Sequence, residues 1–244
     1  MNIIEYTQMR DMIPAHRYKK SQTAVEICKE FGLMHVYNTV MRDSALQNNP
    51  YHNAYHTHCM VVNAHEAVTW YNRSKDPEQH IISKQQHAEL LIACLYHDLG
   101  HSMGKFSDTT NVALAVTAAR GGNEEGQLYC VSSTLGADLH IDTICNIIAV
   151  TEYPFIRTPK TLCEQIIRDC DLLQSLEPDW MEMIFVGLFK ELKNKPEFAD
   201  MTIEQFGPLQ IKFLENAEFF TEWFEKTKRK QWKEAIKNVK RAMQ

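Results

Sequence analysis

The chain has no paired-cysteine motif, no long apolar run and no excess of positive charge. Its seven cysteines, Cys28, Cys59, Cys94, Cys130, Cys145, Cys163 and Cys170, form no Cys-x-x-Cys pair and no regular framework. Scattered through apolar stretches, they predict reduced, buried thiols in a reducing compartment. A membrane-spanning helix needs about 20 consecutive apolar residues, and no run approaches that length. The opening MNIIEYTQMRDMIP lacks a charged segment followed by an apolar one, so no signal peptide is expected and the protein reads as cytoplasmic. The net charge of −5 argues against a nucleic-acid binder, which normally presents a basic face. Neither a nucleic-acid duplex nor a membrane is an expected partner, and self-association is left open. A small anionic substrate stays compatible, because bound metal ions can make a site locally positive.

Strand patterns are missing as well. Apolar residues recur at helical spacing almost everywhere, and no stretch alternates as a half-buried strand would. The 244 residues suffice for a core that needs no disulfides. No internal repeat and no linker-like segment divides them, so a single all-α domain over 1–244 is expected.

Helices are expected over Lys84–Asp98, over Ser107–Arg120 with a stop at Gly121-Gly122, over Asp138–Thr151 and over Lys160–Leu176, with Pro159 in the first turn of the last. Another starts at Glu177-Pro178, and a long helical tail runs from about Thr202. Gly207-Pro208 within it is a kink or a helix start. Expected loops cover 48–50, 74–80, 101–106, 121–126 and 193–201. Trp180, Phe185, Phe189, Phe219, Phe220 and Trp223 recur at helical spacing and read mostly as core.

Chemistry enters at LLIACLYHDLGH, where an apolar helix ends in His97-Asp98 and a further His101 follows. An aspartate set in such a run needs a partner or a metal, and imidazole beside carboxylate suits divalent transition metals. Taken alone, the dipeptide fits a plain helix terminus equally well. Two other segments change the balance. YHNAYHTH, residues 51–58, opens an amphipathic helix with His52, His56 and His58, and EQIIRDCDLLQSL interrupts a second with Asp169 and Asp171. Two residues on a helix are roughly 200° apart, so only one of Asp169 and Asp171 can face a given site. The same rule turns His58 away from His56. His52, four residues before His56, shares its face if the segment is helical. His58, His65, His80, His87 and His140 read as surface or packing residues.

The order His56, His97-Asp98, Asp171 resembles the ligand signature of the HD-domain metal phosphohydrolases. Within that superfamily the chain is most similar to the cyclic nucleotide phosphodiesterase catalytic domain. YHNAYH looks like its Tyr-His-Asn-x-x-His motif, HDLGH like its His-Asp-x-x-His, and NIIAVTEY like the helix bearing a Thr-Asp pair, with Glu152 in place of the aspartate. GPLQIKFLENAEFFTEW supplies a Gln-x-x-Phe in Gln210 and Phe213. The likeness runs over about residues 50–225 and implies a compact multi-helix bundle around a metal site.

That resemblance implies specific roles. His56, His97, Asp98 and Asp171 would hold a tight divalent ion, zinc, iron or manganese, and Asp98 would bridge to a second, magnesium or manganese, mostly hydrated. Asp171 is preferred over Asp169, which beside Arg168 reads as a solvated surface acid. His52 would be the proton donor to the leaving oxygen, and His101 would hold a metal-coordinated water. Gln210 and Phe213 would bind the base, with Gln174 and Lys105 as further substrate contacts. Asn53, Thr151 and Glu152 would support the ligands from behind; Glu124 and Glu125 read equally as solvated. The chain departs from the pattern in SMGKFSDTTN after His101, which is longer, inserts Lys105 and displaces Asn111. It departs again at Gln174, where an asparagine is expected. These changes spare the metal ligands and leave the substrate open.

The leading expectation is hydrolysis of a cyclic nucleotide to a 5′-phosphate. A nucleotidase or triphosphohydrolase acting on linear nucleotides would need the same ligands without Gln-x-x-Phe, and Lys105 could serve its terminal phosphates. An inactive nucleotide-binding or scaffold protein would not need the full ligand set.

Overall fold

Two helices enclosed on nearly all sides carry the rest of the molecule, described here by a computed structural model of residues 14–243 except 75, 77 and 79. The signal-peptide reading concerns residues 1–13 and lies outside the described residues. In order, the described helices are α1 (Ala15–Glu30), α2 (Met34–Gln47), α3 (Ala54–Tyr71), α4 (Lys84–Tyr96), α5 (Asp108–Glu124), α6 (Gln127–Leu135), α7 (Ile141–Ala149) and α8 (Leu162–Asp171). A 3₁₀ turn (Leu172–Leu176), a π segment (Glu182–Leu188) and α9 (Phe189–Leu192) follow, then a 3₁₀ turn (Pro196–Phe198), α10 (Ile203–Asn216), α11 (Glu222–Thr227) and α12 (Arg229–Ala242). No strand occurs among the described residues, so the expected all-α class holds. No described helix is long and apolar enough to cross a membrane.

α4 is the innermost element. Every residue from His87 to Tyr96 is buried, as expected of a helix apolar all round. Its start is fixed by a capping box: Ser83 Oγ accepts from Gln86 N at 3.1 Å, and Gln86 Oε1 accepts from Ser83 N at 2.9 Å. α3 packs against α4, and α8 packs against both. α8 has its own capping box, Thr161 with Glu164. A Leu91→Ala change in this packed centre would cost about 2–5 kcal/mol.

Several element ends differ from the expected ones. α4 stops at Tyr96, because Leu99 N bonds Tyr96 O in a tighter turn and Gly100 then takes a positive φ of 89°. α7 is shorter at both ends than expected, and α8 begins at Leu162, which leaves Pro159 outside it and gives Leu172–Leu176 to a 3₁₀ turn. α1 and α2, for which the sequence offers no boundaries, start without a side-chain cap. Cys130 is exposed on α6, whereas the other six cysteines are buried; all seven are free thiols.

The long tail is broken at residues 217–221 and again at Lys228. Residues 217–221 separate α10 from α11, because the Asp169 carboxylate accepts the Phe220 and Thr221 amides at 2.9 Å each and Thr221 Oγ1 at 2.6 Å. Asp169 is fully buried, so its reading as a solvated surface acid is corrected. Its three donors compensate the carboxylate that burial would otherwise penalise. Gly207-Pro208 lies inside α10, with Gly207 packed against Met243.

α5 continues through Gly121-Gly122 to Glu124, past its expected stop. The two glycines have different reasons to be there. A Cβ at Gly122 would overlap the Tyr96 hydroxyl, which donates to Gln127 Oε1 at 2.8 Å, while a Cβ at Gly121 would meet nothing within 4 Å. Gly121→Ala is therefore expected to stabilise the protein by about 0.5–1 kcal/mol through helix propensity. Gly122→Ala is expected to destabilise it by about 1–3 kcal/mol through overpacking. Urea unfolding midpoints of the two variants, which should move in opposite directions, check this assignment.

Candidate metal centre and its cavity

Three helix ends deliver the expected ligands to one point: His56 from the first turn of α3, His97-Asp98 from the turn after α4, and Asp171 as the last residue of α8. His56 Nε2 lies 3.3 Å from His97 Nε2, 3.4 Å from Asp98 Oδ2 and 3.2 Å from Asp171 Oδ1. His97 Nε2 lies 2.9 Å from Asp98 Oδ2 and 3.7 Å from Asp171 Oδ1. Donors each about 2.1 Å from a shared ion stand roughly 3.0–3.4 Å apart, so the spacing suits one divalent cation. His56, His97 and Asp98 form a group able to hold a metal.

The imidazoles are oriented from behind. His97 Nδ1 bonds Cys94 O at 2.9 Å, and His56 Nδ1 bonds Gln174 Oε1 at 3.3 Å. With the Nδ1 protons directed outward, both Nε2 atoms face the centre, the arrangement that metal-ligating histidines use. Asp98 Oδ2 is buried and has no partner of hydrogen-bonding geometry. The cluster demands a positive charge. Burial alone would lower the His97 pKa, but Asp98 and Asp171 outweigh it and raise the pKa to about 9. Burial would raise the Asp98 carboxyl, but His97, His52 and His56 hold it well below the usual carboxylate range. A metal ion would take the place of the proton held between these groups. The C-terminal ends of α4 and α8 add favourable dipoles for a cation.

His52 reaches the centre by another route than expected. It precedes α3, whose N-cap is Asn53, so no helical turn links it to His56. The fixing residue is Glu191, which sequence reasoning missed. Glu191 Oε1 accepts the backbone amides of Tyr51 and His52 at 2.6 and 3.0 Å, and Oε2 lies 2.5 Å from His52 Nδ1. His101 stacks on the His52 ring with centroids 3.6 Å apart and places Nδ1 3.6 Å from Glu191 Oε2. Burial would lower the His52 pKa, but Asp98 and Glu191 raise it to about 9. Burial and the charge of His52 push His101 down to about 3, leaving it neutral. His52, His101 and Glu191 form a second group of metal-capable donors. One signal pointed to Glu191: it interrupts the apolar spacing of Ile184, Leu188 and Leu192, much as Asp171 interrupts α8.

The longer loop after His101 folds back over this pair. Gly104, with φ of 77°, passes so close to Glu191 O that a Cβ would stand 2.6 Å from it. Asn194 Nδ2 donates to Met103 O at 2.6 Å, and Asn111 Oδ1 accepts from Ser102 N at 3.1 Å. Asn49 Nδ2 donates to His101 O at 2.9 Å, and Asn53 Oδ1 accepts the amides of Tyr55 and His56.

His97, Glu191, Gly104 and Asn111 are among the residues lining a cavity of about 400 Å³. Gln210 and Phe213 border it, as expected, together with His52, His101, Asp98 and Asp171. Gln210 is buried and its amide bonds no described residue. Thr151 also borders the cavity, with Oγ1 donating to Ile148 O. Three expected contacts are corrected. Gln174 is buried behind His56 and orients it, outside the cavity lining. Lys105 is exposed and off the lining; the lysine bordering the cavity is Lys195. Glu152 is buried away from the cavity, where it accepts from Thr109 Oγ1 at 2.5 Å and pairs with Arg157 at 3.6 Å. His58 turns away from the centre, as expected, between Ser21 Oγ and Tyr37 OH.

No protein-family model matches the chain, and a search of curated proteins finds no match either.

Asp98 supplies both charge and a donor atom to the cluster, so Asp98→Ala should abolish tight metal binding. For the unsubstituted protein, Mn²⁺ or Zn²⁺ at about 100 times its dissociation constant should add about 2.7 kcal/mol of stability. That corresponds to roughly 5–10 °C in melting temperature for a chain of this size. Differential scanning fluorimetry should show the shift in the parent and none in Asp98→Ala, with metal content by mass spectrometry following the same pattern.

Proposed function

We propose that the protein is a metal-dependent phosphohydrolase of HD-domain type, related most nearly to cyclic nucleotide phosphodiesterases, that opens a cyclic nucleotide to a 5′-phosphate. The observation that carries this reading is the joint placement of His56, His97, Asp98 and Asp171 beside His52, which a buried glutamate holds at the edge of the same cavity. A binding or scaffold protein has no use for a buried Asp98 Oδ2 that sits 2.9 and 3.4 Å from two histidine Nε2 atoms without hydrogen-bonding geometry to either, an arrangement that a shared cation completes.

Two divalent cations, when bound, would make hydroxide available near neutral pH and neutralise the phosphoryl oxygens. His56, His97, Asp98 and Asp171 are the residues to hold the tighter ion, and Asp98 to reach the second. The chain's own side chains supply the remaining steps. Oxygen from water adds to phosphorus, the P–O3′ bond breaks, and its electron pair stays on O3′. His52 gives that oxygen a proton. Glu191 engages Nδ1 of His52, so the Nε2 proton is the one to transfer, and Glu191 stabilises the imidazolium before transfer. His101 packs against the His52 ring and fixes its plane. Phe213 offers a face for a base, and the free Gln210 amide can present donor or acceptor to either purine. The reading on linear nucleotides drew on Lys105, and its exposed position outside the cavity removes that support.

The test is a metal-supplemented screen of cyclic AMP, cyclic GMP, cyclic dinucleotides and linear nucleotides. His52→Ala is expected to lose roughly 100- to 10,000-fold in kcat with its metal content intact. Gln210→Ala is expected to raise KM about tenfold with kcat little changed. A metal-loaded protein that leaves every cyclic substrate untouched, or a His52→Ala variant with full turnover, would sink the proposal.

A further inference from the structure

Beyond the catalytic cavity lies a second pocket of about 600 Å³. The two share a wall: Tyr153, Phe155, Phe198, Leu209 and Phe213 border both. Their charges are opposite in character. The catalytic cavity is bordered by Asp98, Asp108, Asp171, Glu191 and Glu197, with Lys195 as its one lysine or arginine. The second pocket is bordered by Arg157, Arg168 and Lys212, with Glu218 as its one acid. In a chain of net charge −5 that concentration of cations is not background.

Arg168 is the informative member. It is 2% exposed, and its guanidinium lies over the Phe155 ring at 3.7 Å. It donates to two carbonyls, Val150 O at 2.5 Å and Arg157 O at 2.8 Å, and pairs with no described carboxylate. Its hydrogen bonds go only to neutral acceptors, and Asp171, Asp169 and Glu218 act on it from beyond ion-pair distance, so the buried charge gains from an anion brought into the same pocket. Arg157 and Lys212 are exposed at the rim, and Phe220 adds an aromatic surface. Planar guanidinium, rim cations and aromatic faces together suit a phosphate with its attached base. A pocket of about 300 Å³ or more accommodates one small ligand, so a mononucleotide would fill the catalytic cavity and leave the second empty.

We infer that the second pocket is a subsite for a second nucleotide unit, so that the substrate carries two nucleotides joined through phosphate, with the far phosphate at Arg157, Arg168 and Lys212. The inference rests on the phosphodiesterase reading of the metal centre and names its substrate class. Cyclic and linear dinucleotides share this chemistry.

Arg168 holds two backbone carbonyls, so its removal risks the fold; Arg157 and Lys212 carry the test, since neither borders the catalytic cavity. The metal-loaded protein and its Arg157→Ala/Lys212→Ala double variant are assayed with cyclic AMP, cyclic di-AMP and the linear dinucleotide pApA. The expected result is at least a tenfold rise in KM for the dinucleotides in the double variant, with kcat and all cyclic AMP parameters unchanged. Comparison of cyclic di-AMP with pApA then tells which form the pocket prefers. Dinucleotide KM values that do not move overturn the inference while leaving the catalytic reading standing. Calorimetric binding of cyclic di-AMP to metal-loaded His52→Ala, with and without the double substitution, separates the two ideas. Binding weakened by the substitution, without turnover by the parent protein, supports the subsite and removes the phosphodiesterase reading. Absence of binding overturns the inference.

Discussion

Two imidazoles 3.3 Å apart, each with both carboxylates 2.9–3.7 Å away, at the junction of three helix ends, are the constraint on which the rest depends. Crowding these largely buried groups together without a cation would be costly. The fold meets that cost through position. α3 and α4 are buried along most of their length, so their ends are fixed by packing, and α8 is pressed against both. Gln174 and Cys94 O then fix the ring planes. A cation, whether proton or metal, is what makes this arrangement stable, and the same demand for positive charge is what would let an anionic substrate enter an acid-rich cavity.

The pairing of His52 with Glu191 is the second layer of the arrangement. One carboxylate takes two backbone amides and one imidazole, and thereby ties the segment before α3 to α9. The insertion after His101 belongs to the same unit, because Gly104 lies against Glu191 of α9 and Met103 O accepts from Asn194 just after it. A loop that looks like a departure in sequence thus covers the His52 side of the cavity. It contributes packing and backbone contacts there, and the exposed Lys105 is a by-product of its length.

The parts of the site that sequence revealed are those whose signal is local. His97-Asp98 ending an apolar run and Asp171 interrupting another both announce themselves within a few positions. The 200° argument that separated Asp169 from Asp171 also holds: the two face opposite sides of α8, though Asp169 meets protein there and not water. What stayed hidden acts across long separations. Glu191 meets His52 139 positions away, and Asp169 meets Thr221 52 positions away. No window of sequence contains either pair. The Gly121-Gly122 stop failed for a related reason, since contact with Tyr96 from another helix selects glycine at 122.

The last turn of α8 joins these layers. Arg168 borders the second pocket, Asp169 anchors the segment carrying Phe220 to that pocket, and Asp171 enters the cluster with His56 and His97. Residues 168 and 171 are separated by about 4.5 Å of helical rise, on a helix packed against α3 and α4. The two pockets therefore each take one side chain from a single helical turn, which fixes the spacing of Arg168 and Asp171. A ligand bridging them would be selected by its span as well as by its charge. Fixed spacing of this kind discriminates through the ordering cost that a mismatched ligand must bear. The pitch of one helix thus sends Arg168 to one pocket and Asp171 to the other.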